Sequence, residues 1–203
     1  MLIKTNANNT SPRGYLSWSQ LSMWEKDPNL YYQVYIEGLD QFRTKYLELG
    51  KRMATGLENG FDEAHDPLFE TLIVFMPNYP KREFDIKEKF EGIPLFGKLD
   101  GWDGKTLTIG EYKTGKKWTQ SMADQTGQLT FYAFLVWLKY KKLPNKIFLH
   151  WAKTQEDEEG KLTLTGDIRT FKTTRTMKDI ILFSKRIKIA WAGVCELGKF
   201  VDA

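Results

Sequence analysis

Apolar positions along the chain recur with two periods, and the change between them divides the sequence. Near the start, Ser17 or Ser19 can cap a helix through Leu21, Met23 and Trp24. That helix ends near Asp27-Pro28, because proline disfavours helix in the residue before it. Tyr31, Tyr32 and Tyr35 predict a second short helix. Phe42, Tyr46, Leu49, Met53 and Leu57 recur at three- and four-residue steps, predicting a longer helix from Asp40 to Glu58. The middle then reads as strands: Phe69 to Met76, Glu83 to Phe90, Ile93 to Trp102 and Thr106 to Thr114, with Asp103-Gly104 as a two-residue hairpin turn. A helix from Ser121 to Lys141 follows. Strands Lys146 to Lys153 and Lys161 to Phe171 flank the acidic turn 155–160. Thr176 caps a last helix, with Asp179 in its first turn. This order predicts an α/β (α+β) fold: a mixed central sheet flanked by helices, with an N-terminal helical extension.

Composition bounds the picture. A chain of 203 residues suits one domain and can bury a full core without disulfides or a structural metal. Residues 1–14 read as a flexible polar lead-in and 15–203 as a single domain. The one cysteine, Cys195, excludes an internal disulfide framework and a cysteine-built zinc or iron–sulfur site. Apolar runs such as Ala133 to Leu138 fall far short of the roughly 20 residues that a membrane span needs. Nothing at the N-terminus has the apolar core of a signal peptide, so the expectation is a soluble cytoplasmic protein with no membrane partner. The net charge of +4 permits a polyanionic partner without requiring one. The high aromatic content (7 Trp, 9 Tyr, 13 Phe), interleaved with Lys and Arg, suits stacking on nucleobases, although the core claims most of it.

The candidate chemistry lies between Phe96 and Lys116. Side chains two apart on a strand share a face, so Glu111 and Lys113 project together while Tyr112 points away. A two-residue loop at Asp103-Gly104 would place Asp100 opposite Leu107, on that same face but about 13 Å from Glu111. A shared ion would then need a bend, a wider loop or splayed strands. Two carboxylates and a lysine make sense as a unit. Oxygen ligands hold Mg2+ or Mn2+, the ion activates water and polarises a phosphoryl oxygen, and an ammonium balances charge on the reacting phosphate. By itself Asp-x10-Glu-x-Lys also fits an ordinary half-exposed strand with alternating charges. Gln125, Gln128 and Tyr132, at i, i+3 and i+7, form a polar stripe on the helix that follows.

Three blocks resemble the PD-(D/E)XK nuclease superfamily, and within it the RecB-like exonuclease domains. The first is Leu16-Ser17-Trp18-Ser19-Gln20-Leu21 through Pro28-Asn29-Leu30-Tyr31. The second runs from Leu49-Gly50 to Glu58. The third is Gly97-x-x-Asp100, Glu111-x-Lys113-Thr-Gly and Gln128-x-x-x-Tyr132. The resemblance implies a restriction-endonuclease-like core and a DNA nuclease using Mg2+ or Mn2+. Asp100 and Glu111 would be the metal ligands and Lys113 the catalytic lysine, while Gln128 and Tyr132 would position the site and the DNA. In the second block the family often has a metal-binding histidine where this chain has Ala54; His65 and His150 do not replace it in register. Glu58, one turn on, is the candidate that could compensate as a metal ligand. The cysteine that iron–sulfur relatives carry before the first block's proline is Asp27 here, which implies no cluster.

Lys116 and Lys117 fit either a solvated turn or, together with Gln125, contacts to nucleic acid. His150 reads as a strand histidine and Cys195 as a packed one. No phosphate-binding Gly-x-x-x-x-Gly-Lys-Ser/Thr loop is present, so a helicase or recombination partner would be a separate chain. The expected function is exonuclease action on DNA ends or single strands, in recombination or repair of bacterial or phage type. The rival expectation is a nuclease-fold protein that grips DNA or a protein partner without cutting. Ala54 favours the rival; the acidic pair with Lys113 favours the enzyme.

Overall fold

The computed structural model describes residues 13–40 and 44–199. Most of the predicted lead-in, residues 1–12, lies outside them, as does 41–43. Four helices come first: α1 (Trp18–Lys26), α2 (Pro28–Tyr35), α3 (Lys45–Asn59) and α4 (Pro67–Phe75). Strands β1 (Lys81–Phe90), β2 (Ile93–Asp103) and β3 (Thr108–Gly115) follow. Then come α5 (Gln120–Gln125), α6 (Gly127–Tyr140), β4 (Lys146–Glu156), β5 (Leu162–Thr173) and α7 (Met177–Lys199). The five strands form one sheet in the order β1-β2-β3-β4-β5, antiparallel except for the parallel pair β3–β4, whose crossover is α5–α6. Ile109, Ile147 and Leu149 pack with α6 and α7 on one face. On the other face Tyr112, Ala152 and Leu164 pack with α3 and α4. The mixed sheet and N-terminal helices agree with the predicted fold class.

Local chemistry accounts for the helix ends. Ser17 caps α1, accepting from the Gln20 N–H, and Asp27 caps α2, accepting from the N–H groups of Asn29 and Leu30 ahead of Pro28. Thr176 and Asp179 form a reciprocal box at α7: the Thr176 hydroxyl accepts from the Asp179 N–H, and the Asp179 carboxylate accepts from the Thr176 N–H. Helix α3 begins at Lys45, capped by Thr44, rather than at Asp40.

Three expectations are corrected. Phe69 to Met76 is not a strand; it lies in α4 and its C-cap. Asp66 accepts from the N–H groups of Leu68 and Phe69, and Pro67 presets the first turn, so capping outweighs the β-leaning Leu-Ile-Val-Phe run. Phe69, Leu72, Ile73 and Met76 are buried at helical spacing, while Val74 and Phe75 are exposed. The helix expected from Ser121 to Lys141 is two helices, broken at an extended Thr126. The buried Arg175 holds that break, donating to the Ala123 carbonyl at 3.1 Å, the Thr126 carbonyl at 3.2 Å and the Thr130 hydroxyl at 2.7 Å. Gln125 therefore ends α5, bonded to Ser121, and does not continue the stripe of Gln128 and Tyr132.

The third correction concerns the hairpin. Asp103 pairs with Thr108, so the loop holds residues 104–107 instead of two. The Asp103 carboxylate accepts from the N–H groups of Lys105 and Thr106 and from the Thr106 hydroxyl, and Leu107 takes a left-handed φ of 51°. This wider loop moves the register by four residues and brings Glu111 level with Asp100.

Candidate active site

Strands β2 and β3 pair through only three residue pairs, Asp103↔Thr108, Trp102↔Ile109 and Gly101↔Gly110, and then part. Asp100 and Glu111 are the next positions on each side of the fork. β3 continues against β4, while the freed edge of β2 is taken by Leu16: its N–H donates to the Pro94 carbonyl at 2.9 Å and its carbonyl accepts from the Phe96 N–H at 3.1 Å. The first sequence block thus covers the edge that β3 leaves open. At the fork, the Tyr112 N–H donates to Asp100 Oδ2 at 2.9 Å, so a carboxylate replaces the missing rung. The ladder between β1 and β2 also has a gap at this level, between Asp100 and Glu83, whose φ is 47°.

The ring of Tyr79 supports the fork from the α3 face. A Cβ added to Gly101 or Gly110 would lie 2.4 Å or 2.2 Å from that ring, so only glycine fits at either position. The Tyr79 hydroxyl meets His150 Nε2 at 2.8 Å, and His150 Nδ1 meets the Thr170 hydroxyl at 2.8 Å. Burial pushes the His150 pKa down to about 4, so this histidine is a neutral structural group, as expected. From the opposite face α6 approaches Gly97, where a Cβ would meet Leu135 at 2.4 Å and Tyr132 at 3.4 Å.

Glu111 is 1% exposed, and neither of its side-chain oxygens makes a hydrogen bond of acceptable geometry; its Oε1 lies 2.5 Å from Lys113 Nζ. Burial, and then the neighbouring Glu111, push the Asp100 pKa up to about 8, against the pull of Lys113 and the Tyr112 N–H. For Lys113, burial disfavours the charge, but Glu111 and Asp100 outweigh it and raise the pKa. One ammonium thus faces two carboxylates in a low-dielectric site, and the pair lacks positive charge. A buried carboxylate without hydrogen bonds beside a second carboxylate is an oxygen donor set suited to a hard divalent cation. Among the described residues no group of three His, Cys, Asp or Glu side chains is arranged to hold a metal. Asp100 and Glu111 would therefore be the side-chain ligands, and the rest of a shell would come from water, main chain or substrate. Mg2+ sites are commonly built in this way.

The other predicted residues are distributed as follows. Gln128 donates to the Tyr132 hydroxyl at 3.0 Å, and Tyr132 is 6% exposed. Burial, then Glu111 and Asp100, hold the Tyr132 pKa well above its ordinary value. Glu58 and Ala54 line a cleft between α3 and the sheet, together with Asp100 and Lys113. Lys116 and Lys117 are exposed after β3, and Lys116 is tied to Glu156 at 2.9 Å. Sequence reasoning missed Glu83, which lines the same cleft and pairs with Lys98 at 3.3 Å. Burial, then Asp100, raise the Glu83 pKa. Its place depends on the β1–β2 register, which no local motif encodes.

One solved structure, named "Putative exonuclease" and from Eubacterium rectale, matches 98% of this chain over 88% of its own length, with a TM-score of 0.60 at 13% identity. The chain shares the fold of that structure. A second solved structure, named as a phage-related exonuclease from Haemophilus somnus 129PT, matches 81% of this chain and 78% of its own, with a TM-score of 0.47 and 12% identity. No protein-family profile and no curated protein matches the sequence. Within this fold the acidic pair stands where two strands of the central sheet diverge. Among the described residues, no helix is long and apolar enough to cross a membrane.

Proposed function

We propose that this protein is a divalent-metal-dependent DNA nuclease that hydrolyses phosphodiester bonds, acting as an exonuclease on DNA ends or single strands. The observation that carries this reading is the meeting of Asp100 and Glu111 at the β2–β3 fork, with the Lys113 ammonium against Glu111 and Glu111 without a hydrogen bond. The likeness to a structure named as an exonuclease supports it at the level of fold. Mg2+ or Mn2+ would be held by Asp100 and Glu111, and when bound would supply a Lewis acid for the phosphoryl oxygen and acidify a water. The remaining work falls to the chain's own groups. Glu111 holds the Lys113 ammonium beside the reacting phosphate, where it donates to an oxygen that gains charge as water attacks phosphorus and the leaving oxygen departs. The Tyr112 N–H fixes the Asp100 rotamer. Gln128 fixes the Tyr132 hydroxyl at the α6 wall, where the phenol excludes bulk water and orients the substrate. Glu58, across the cleft, could act on the metal through water.

A second reading has its own support. With Ala54 on α3 and no three-ligand group among the described residues, the fold could grip DNA without cutting it. The deciding experiment is cleavage of labelled DNA by chelator-treated protein, with and without restored Mg2+ or Mn2+. The nuclease reading expects cleavage only with metal, and its loss in folded Asp100→Ala and Glu111→Ala. Undiminished cleavage by either variant would sink the site assignment, and DNA binding without any cleavage would favour the second reading.

A further inference from the structure

The acidic pair has two approaches, and they differ in charge. The cleft on the α3 side carries Glu58, Glu83 and Asp100 beside Arg82 and Lys113. A groove runs beside β2, lined by Arg13, Tyr15, Phe96, Lys98, Gln128 and Tyr132 among others, and among the described residues no carboxylate lines it. It includes the buried Tyr132 of α6 and Gly97 of β2, which lie against each other. It also holds two aromatic rings, Tyr15 and Phe96, with centroids 5.1 Å apart and a tilt of 56°.

We propose that this groove binds an unpaired stretch of a nucleic-acid strand leading to the active pair, with a base against Phe96 and Tyr15 and phosphates at Arg13 and Lys98. The proposal rests on the nuclease reading of Asp100, Glu111 and Lys113, and adds where the strand lies and in what form. Charge assigns the route. In the cleft three carboxylates outnumber Arg82 and Lys113, whereas among the described residues the groove is lined by two cations and no carboxylate, so a polyanion is favoured in the groove. Among the described residues Lys98 makes its ion pair with Glu83, at 3.3 Å, and its side chain is 50% exposed. Such a pair is weak and yields readily to phosphate. Arg13 lies over the Tyr35 ring at 5.0 Å and makes no ion pair among the described residues. The aromatic pair assigns the form: a base can stack on a side chain only when its own face is free, as in a single strand or a frayed end. Continuity assigns the destination, because Gly97, three residues before Asp100 on β2, lines the groove with Gln128 and Tyr132, and a Cβ there would meet the Tyr132 ring at 3.4 Å.

Binding of a labelled oligothymidylate of about 15 nucleotides, and of a blunt duplex of equal length, is measured by fluorescence anisotropy with the full chain in chelator. Cleavage by the same proteins is measured separately with Mg2+ or Mn2+. The proposal expects tighter binding of the single strand. Tyr15→Ala with Phe96→Ala should weaken it roughly tenfold or more, and the conservative Phe96→Tyr should restore most of that loss. Lys98→Ala, at an exposed position that leaves folding intact, should weaken binding and lower the slope of log affinity against log salt by about 0.7. Equal binding of duplex and single strand, or groove variants that bind and cleave as the wild type does, would overturn the groove and leave the nuclease reading standing. Single-strand binding through the groove with no cleavage at any metal concentration would overturn the nuclease reading on which the proposal rests.

Discussion

Asp100 Oδ2 accepts the backbone N–H of Tyr112 at 2.9 Å, the position after Glu111, across the point where β2 and β3 separate. This bond ties the side chain of one carboxylate to the main chain that carries the other, and it holds like charges together at a cost. Burial and Glu111 raise the Asp100 pKa from 3.8 to about 8. The folded chain then binds a proton that the unfolded chain has released, so metal-free stability falls as pH rises from about 4 to 8. Asp100→Asn keeps an acceptor for the Tyr112 N–H and removes the charge. In chelator, its melting temperature should therefore overtake that of the wild type as pH rises through this window, while cleavage is lost. Parallel melting profiles for the two proteins between pH 5 and 9 would show that the pair is not strained. The wild-type deficit should shrink when Mg2+ or Mn2+ is added.

Among the described residues Lys113 is the one cation in an ion pair with Glu111, and removing it has two opposite consequences. Turnover should fall at least ~10²-fold, as when a donor to the transition state is deleted. Metal affinity should hold or tighten, because Glu111 loses its competing partner. Titration of activity against metal concentration for Lys113→Ala separates the two effects. A loss that excess metal fully restores would make the lysine a structural counter-ion.

What was legible in the sequence is what local chemistry encodes. Ser17, Asp27 and the Thr176–Asp179 box mark helix ends by bonds within four residues, and Gln128 and Tyr132 meet because i and i+4 share a helix face. Asp100, Glu111 and Lys113 could be named from their order and spacing, but their convergence could not. It depends on Leu107 adopting a left-handed φ that its side chain does not favour, which sets a four-residue loop in place of the two residues that Asp103-Gly104 suggested. The break at Thr126 is likewise held from outside, by Arg175, which follows β5 and lies 49 residues later in the chain. Glu83 entered the cleft through strand register alone. Only in α4 did two local signals conflict, with capping by Asp66-Pro67 winning over the β-leaning run behind it.

Gly101 and Gly110 face each other beneath the Tyr79 ring, one position short of Asp100 and Glu111. Gly110→Ala should lower stability by about 1–3 kcal/mol, the usual cost of overpacking, because the new methyl would meet a ring pinned by His150. It should also reduce cleavage by moving the fork. Tyr79→Leu in the same chain would clear the space, so the double variant should be less destabilised than the sum of the singles. Denaturant unfolding of the four proteins measures the coupling. Strict additivity would mean that the ring does not set the fork.

Helix α3 supplies the last test. Ala54 and Glu58 face Asp100 across the cleft, yet the described residues contain no three-ligand group, so Asp100 and Glu111 would hold an ion by carboxylate oxygens alone. Carboxylate, water and phosphate oxygens suit Mg2+, whereas a nitrogen donor shifts preference toward Mn2+. The unmodified protein should accordingly use Mg2+ comparatively well and bind either ion weakly until DNA phosphate completes the shell. Ala54→His should raise the ratio of Mn2+- to Mg2+-supported activity and tighten Mn2+ binding measured by calorimetry without DNA. Glu58→Gln should impair cleavage more than it shifts the melting temperature, since the side chain is exposed and spaced one helical turn, about 6 Å, from Ala54. Both variants lie on the exposed face of α3, so neither result is confounded by loss of the core packing of Leu49, Met53 and Leu57. If Ala54→His leaves the metal ratio unchanged and Glu58→Gln is fully active, then α3 does not reach the ion, and this helix serves only as the outer wall of the cleft.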